Sequence, residues 1–267
     1  MKTTKRGAGL PALALCLALC LAACTPAPSQ PAATPTPVPT QTPVGTPAQT
    51  DAANSETADS EAVEAYRAAL EAMLDERVLP DGTPLEPDAA GDAAQNLFAL
   101  KDVDGDGRTE LILLYAAASM AGQSAYVFDY DSAAGRLRTQ LQEFPLLTFY
   151  DNGVIRADWS HNQGLAGSFW PYTLYRYDPA TDSYATLGSV DAWDKAIAEK
   201  DAQGNPFPQE TDVSGTGVVY YIAEDGANES AEPVDEAVYL NWVESHLAGA
   251  VELTIPFEEL TRENIRP

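Results

Sequence analysis

Four acidic side chains crowd into one short segment, Asp102-Val103-Asp104-Gly105-Asp106-Gly107-Arg108-Thr109-Glu110. Ca²⁺ is a hard cation that takes six to eight oxygen ligands at about 2.3–2.6 Å. Carboxylates at loop positions one, three and five (Asp102, Asp104, Asp106) converge on one ion. Gly107 at position six permits the sharp turn, and the backbone carbonyl of Arg108 at position seven supplies a neutral oxygen. Glu110 at position nine closes the shell. Without a cation, carboxylates this close repel one another, so the spacing points to calcium in a structural role. Mg²⁺ fits less well, because it keeps a water-rich octahedral shell. An affinity of about 10⁻⁴–10⁻³ M suffices outside a cell.

The first six positions resemble an EF-hand loop. Position twelve, however, is Leu113 where an EF-hand has a bidentate Glu, and the flanks Leu97–Leu100 and Leu111–Tyr115 read as strands. The segment is closer to the D-x-D-x-D-G-x-x-D loop of integrin α-subunit propeller repeats (FG-GAP-like), which joins two strands; Glu110 here replaces the final Asp. The "DGDG-x-x-EL" pattern also resembles the loop of a set of uncharacterised bacterial surface lipoproteins. That resemblance implies a surface protein with no activity that transfers.

Other chemistry is sparse. Asp158-Trp159-Ser160-His161 sets an acid, a hydroxyl and an imidazole side by side, but alternate residues of a strand point to opposite faces, so sequence neighbours do not assemble a triad. His161 and His246 are the only histidines, which excludes a histidine-rich metal site. No carboxylate pair stands out for glycoside hydrolysis among 40 acids. Trp159, Phe169, Trp170, Tyr172, Tyr175 and Tyr177 read first as core and cross-strand pairs; a carbohydrate- or peptidoglycan-binding face is the second reading. Asn228-Glu229-Ser230 fits a glycosylation sequon and carries no meaning in a bacterial lipoprotein.

The elements that must position the acidic loop follow from periodicity. Val63, Tyr66, Leu70, Met73 and Leu74 predict a helix capped by Ser60 and ended by Pro80-Asp81-Gly82. Tyr126–Leu141, Leu147–Trp159 and Tyr172–Leu187 predict three hairpins, turning at Asp131–Gly135, Asp151-Asn152-Gly153 and Asp178–Asp182. The first and third look alike at an offset of 47 residues, Asp131 matching Asp178. That is near a propeller-blade period, but two copies between helices indicate a repeated hairpin in an antiparallel sheet. Further expectations are a short helix over Ala192–Lys200, a strand over Val218–Ile222, a helix over Val234–Leu247 with Pro233 in its first turn and Gly249 beyond its end, and a last short helix over Pro256–Asn264. The expected class is α+β: an antiparallel sheet of repeated hairpins with helices on the N- and C-terminal sides.

The N-terminus carries targeting information. Lys2, Lys5 and Arg6 precede an apolar run, Leu10–Leu21, too short to span a bilayer comfortably. Leu21-Ala22-Ala23-Cys24 resembles the lipobox of bacterial lipoproteins, which implies cleavage before Cys24 and diacylglycerol on its thiol. An ordinary signal peptidase site is the lesser alternative. All three cysteines lie in this segment, so the mature chain forms no internal disulfide. Pro26, Pro28, Pro31, Pro35, Pro37, Pro39, Pro43 and Pro47 make an extended tether after Cys24, and Asp51–Asp59 is expected to continue it as disordered chain. The expected organisation is thus 1–23 signal peptide, 24–58 tether and 59–267 globular domain.

Cleavage removes three basic residues and no acid, taking the formal charge from −25 to −28. Such a surface repels nucleic acid and anionic lipid. The combined expectation is an extracytoplasmic calcium-binding lipoprotein held to the cell membrane through Cys24. It is a non-enzymatic module with a glycan or cell-surface protein as ligand; the alternative is a calcium-stabilised extracellular hydrolase of polysaccharide or peptide.

Overall fold

Strands in which every second residue is apolar bury one face only; strands apolar throughout must be covered on both. Leu111-Ile112-Leu113 is of the second kind, and all three side chains are fully buried. The computed structural model describes residues 48–85, 92–118, 122–162, 164–224 and 231–267. The chain divides into the units Met1–Gly45 and Thr46–Pro267, and the described residues all lie in the second. The signal peptide, Cys24 and the sequon Asn228–Ser230 lie outside the described residues, as does the tether apart from its last part. Among the described residues no helix is long and apolar enough to cross a membrane.

The fold is α+β, as expected, but the strands form two antiparallel sheets rather than one. Helix α1 (Ala48–Glu76) leads into β1 (Leu97–Lys101), β2 (Glu110–Tyr115), β3 (Ser124–Asp131), β4 (Arg136–Glu143), β5 (Leu147–Phe149), β6 (Val154–Asp158), β7 (Tyr172–Asp178), β8 (Ser183–Asp194), β9 (Val218–Ala223) and β10 (Pro233–Val234). Helix α2 (Glu236–Leu247), β11 (Glu258–Glu259) and helix α3 (Arg262–Ile265) complete the order. The first sheet runs β11-β1-β2-β3-β4 and the second β10-β9-β8-β7-β6-β5.

Alternation along the strands sorts the core into layers. Phe98, Leu111, Leu113 and Phe128 pack on Tyr66, Leu70 and Met73 of α1 and on Ile265 of α3. The opposite face of that sheet, Ala99, Ile112 and Val127, meets Phe149 and Ile155 of the second sheet. The far face of the second sheet, with Leu174, Val190 and Tyr220, carries Tyr239 and Trp242 of α2. The order is helix, sheet, sheet, helix.

The repeated hairpin is real at the level of single residues. In β3–β4 the register breaks between Val127 and Phe128, which pair with Leu141 and Thr139, leaving Gln140 as the extra residue. In β7–β8 it breaks between Leu174 and Tyr175, which pair with Gly188 and Thr186, leaving Leu187 extra. Each position is its counterpart shifted by 47 residues. A one-residue bulge turns every later side chain to the other face. Leu137 therefore packs towards α1 while Leu141 lies between the sheets. The turns match as well: Gly135 and Asp182 donate to the Asp131 and Asp178 carbonyls at 2.8 Å, with φ of 63° and 50°.

Four expectations are corrected. Helix α1 starts at Ala48, inside the expected disordered segment, and Ser60 sits within it rather than at its cap. No Pro or Gly interrupts 48–76, and Ala is the strongest helix former. Ala192–Lys200 is not a helix: β8 continues to Asp194 through its pairing with β9. There Trp193 packs on Phe207 and its indole N–H donates to the Ala198 carbonyl at 2.9 Å, so tertiary pairing overrides local propensity. Pro233 belongs to β10, and α2 begins after Asp235, whose carboxylate accepts from the Ala237 amide. The C-terminal helix is confined to Arg262–Ile265, because Glu258 and Glu259 pair with Phe98 and Leu97 instead.

Candidate metal centre

The acidic segment is the loop of the β1–β2 hairpin, closed by the pairing of Lys101 with Glu110. Gly105 and Gly107 hold φ of 81° and 85°, a left-handed conformation that costs other residues about 1–2 kcal/mol. The loop is wound around its own carboxylates. Asp102 Oδ1 accepts the Gly105 N–H at 2.8 Å and its Oδ2 the Gly107 N–H at 3.2 Å. Asp104 Oδ1 accepts the Asp106 N–H at 2.9 Å, and Asp106 Oδ1 the Arg108 N–H at 2.7 Å.

This winding brings one oxygen of each of Asp102, Asp104 and Asp106 within 4.8 Å of the others. Asp104 is only 7% exposed, and its Oδ2 has no hydrogen-bond partner. A buried, unpartnered carboxylate oxygen is costly, and a cation at the centre of the three would satisfy it. Burial, together with repulsion from Asp106 and Asp102, raises the Asp104 carboxyl to about 6.

Glu110 is placed differently from the sequence reading. It stands outside the three-carboxylate group and is fully buried; its Oε2 accepts the Val103 N–H at 2.9 Å and its Oε1 is unpartnered. Burial pushes its carboxyl up to about 9, with Asp104 adding repulsion. Arg108, read from the sequence only as a carbonyl donor, also turns its side chain back on the loop. Its Nε donates to Asp106 Oδ2 at 2.9 Å and its Nη2 lies 3.3 Å from Asp129 Oδ1. Burial pulls against the charge of this guanidinium, but Asp106, Asp129 and Asp182 outweigh it and raise its pKa.

Several groups that frame the loop escaped the sequence reading. Asp129 and Asp182 are joined by Arg138, which pairs with both, and Asp182 also accepts from Tyr177 Oη at 2.9 Å and Gln140 Nε2 at 3.0 Å. Gln140 is the bulge residue of β4, so the bulge aims its amide across the inter-sheet gap. The Thr109 amide donates to Asp59 Oδ1 at 2.9 Å, and Tyr66 Oη donates to the Thr109 carbonyl at 2.8 Å. The only sequence signal for these contacts was the polar or aromatic type of residues otherwise read as helix surface, turn or core.

Elsewhere the catalytic readings find no assembly. Ser160 Oγ lies 2.9 Å from His161 Nδ1, both exposed, but Asp158 is paired with Arg156 Nε at 2.7 Å. The aromatic group divides. Phe169 packs against Tyr172, Tyr220 and Tyr239, as core readings expect. Trp170 is 40% exposed, its indole N–H tied to the Trp159 carbonyl at 2.6 Å.

Compared with known proteins, the chain matches no family model, no curated protein and no solved structure.

Proposed function

We propose that this chain is an extracytoplasmic calcium-binding lipoprotein, tethered to the bacterial membrane through Cys24, whose domain is a non-enzymatic binding or structural module. One observation carries the calcium reading: three carboxylates converge while the buried Oδ2 of Asp104 lacks a partner. Asp102, Asp104 and Asp106 supply the first oxygens, the Arg108 carbonyl adds a further one, and water completes the shell. An all-oxygen set with no nitrogen or sulfur donor suits a hard cation. The ion's role is structural. It neutralises the hairpin loop that joins β1 to β2, two strands whose side chains pack in the core on both faces of the first sheet. The lipobox and the Pro-rich stretch support the anchor; the acidic surface supports a ligand other than nucleic acid, a glycan or a cell-surface protein.

The test is calorimetric titration of CaCl₂ into the purified full-length chain in detergent, beside MgCl₂. Saturable uptake of one Ca²⁺ with a weaker Mg²⁺ response supports the reading. No heat of uptake at millimolar Ca²⁺ removes it. Turnover of polysaccharide or peptide substrates by the same sample would replace the binding-module reading with the hydrolase.

A further inference from the structure

Both backbone polar groups of Thr109 are engaged by α1, an element remote in sequence from the loop. The Thr109 N–H donates to the Asp59 carboxylate at 2.9 Å, and the Thr109 carbonyl accepts from Tyr66 Oη at 2.8 Å. Asp59 and Tyr66 lie seven residues apart, two helical turns, and so share one face of α1. Tyr66 is fully buried.

The Thr109 N–H and the Arg108 carbonyl belong to one peptide group. That group is planar and trans, so the two bonds point in opposite directions. With its N–H held towards α1 by Asp59, the peptide turns the Arg108 carbonyl away from α1. This carbonyl is the backbone oxygen that the loop pattern assigns to the cation. The next peptide is fixed in the same way, because Tyr66 holds the Thr109 carbonyl. Two hydrogen bonds from α1 thus set the orientation of the two peptides between position seven and Glu110.

We propose that Asp59 and Tyr66 are positioning residues for the cation loop, so that docking of the α1 face they share and uptake of Ca²⁺ strengthen each other. The proposal rests on the calcium reading of residues 102–110. Linkage is reciprocal: whatever α1 contributes to calcium affinity, calcium contributes to holding α1 on the sheet. The rest of the helix is fastened independently of the loop. Arg266 Nε donates to Glu71 Oε1 at 2.6 Å, and Arg262 pairs with Asp75. Between Asp59 and Tyr66 the helix is also held by Glu64, which pairs with Arg266, and by Glu61, which accepts from Tyr130 Oη at 3.2 Å, so loss of the loop contacts loosens this segment without releasing it.

The test is calcium titration of the full-length chain and its Asp59→Ala, Asp59→Asn and Tyr66→Phe variants, each checked for an unchanged far-UV spectrum. Asp59→Ala and Tyr66→Phe should weaken calcium binding by roughly 5-fold or more. Asp59→Asn, which keeps an oxygen acceptor for the Thr109 N–H, should bind within about 2-fold of wild type. Should a variant fail to fold, amide exchange on the unsubstituted protein gives the second readout: Ca²⁺ should slow exchange at Thr109 and across the 59–66 segment of α1. Equal calcium affinity in Asp59→Ala and Tyr66→Phe, or exchange in α1 that ignores calcium, overturns the proposal while leaving the calcium reading in place. A wild-type chain that takes up no calcium overturns both.

Discussion

Gly153, in the turn between β5 and β6, lies against the carbonyl oxygen of Asp104: a Cβ added there would stand 3.0 Å from that oxygen. The acidic loop of one sheet is thus seated on a hairpin turn of the other. The turn is in turn bonded onward, since the Tyr177 N–H donates to the Gly153 carbonyl at 3.0 Å. Gly153 also has φ of 72°, so an added side chain meets both backbone strain and a close oxygen. Gly153→Ala should cost about 1–3 kcal/mol and should weaken calcium uptake by displacing Asp104. Urea unfolding with and without calcium measures both. A loss below about 0.5 kcal/mol would show that the two sheets slide freely at this contact.

Asp104→Asn separates the ion from the loop's own hydrogen bonds. The amide oxygen still accepts the Asp106 N–H that Asp104 Oδ1 takes at 2.9 Å, while the charge facing its two acidic neighbours is gone. The variant should melt lower than wild type in millimolar Ca²⁺. In EDTA it should melt at the same temperature or higher, because repulsion with Asp102 and Asp106 is relieved. Stabilisation by a ligand grows as RT ln(1 + [L]/Kd), so the gap between wild type and variant should widen as calcium is raised. A gap that is the same in EDTA and in calcium refutes the ion's role.

Asp182 stands where the equivalent turn of the first sheet has Gly135, yet it keeps the left-handed backbone at φ 50°. Its carboxylate accounts for the exchange: it ties Arg138, Gln140 and Tyr177 together across the two sheets. Burial alone would raise its pKa, but the Tyr177 hydroxyl and the Arg138 guanidinium outweigh that and hold it below the usual range. Asp182→Ala loses the carboxylate and keeps the strain; Asp182→Gly loses the carboxylate and the strain. Both should be destabilised, with Gly the better by about 1 kcal/mol. Equal stability of Asp182→Gly and wild type in chemical denaturation would mean that the inter-sheet network adds nothing.

What was legible in the sequence is local. The loop carboxylates and the turn at Asn152-Gly153 depend on residues close together in the chain, and the 47-residue repeat compares two such short stretches; each has its place in the structure. Even the bulges at Gln140 and Leu187 were latent in that repeat, since equal spacing carries equal register. Misreadings arose where a distant partner decides. Ala192–Lys200 reads on its own as a short helix, but β9 claims its first residues. The division into two sheets, the seat of Asp104 on Gly153 and the bond of Thr109 to Asp59, 50 residues away, follow from packing between elements, which no window of sequence contains. Glu110 shows the limit most plainly. Position nine of the loop pattern suggests a ligand, whereas the structure buries Glu110 at the start of β2, bonds it to the Val103 N–H and leaves it outside the group formed by Asp102, Asp104 and Asp106.

His246 offers a pH handle outside the acidic loop. It lies in the last turn of α2, half-buried, with its ring edge-on to Trp242 at 4.8 Å and its Nδ1 buried without a partner. Asn152 and Arg176 donate to its carbonyl at 3.0 and 3.1 Å. Burial lowers its pKa, Arg176 lowers it further, and Glu224, which accepts the Trp242 indole N–H, opposes them. A histidine whose folded pKa lies below its unfolded value of 6.5 binds fewer protons folded than unfolded, so stability rises with pH. The protein should therefore lose stability as pH falls from about 6.5 towards the lowered folded pKa, and the loss should stop growing below it. His246→Gln removes this one contribution and leaves Asp104, whose carboxyl is raised to about 6, untouched. The melting temperature of the variant should fall less steeply than wild type between about pH 7 and 5, measured at fixed calcium. Parallel slopes would place the imidazole in solvent, and the contact of α2 with the second sheet would then lack the burial assigned to it.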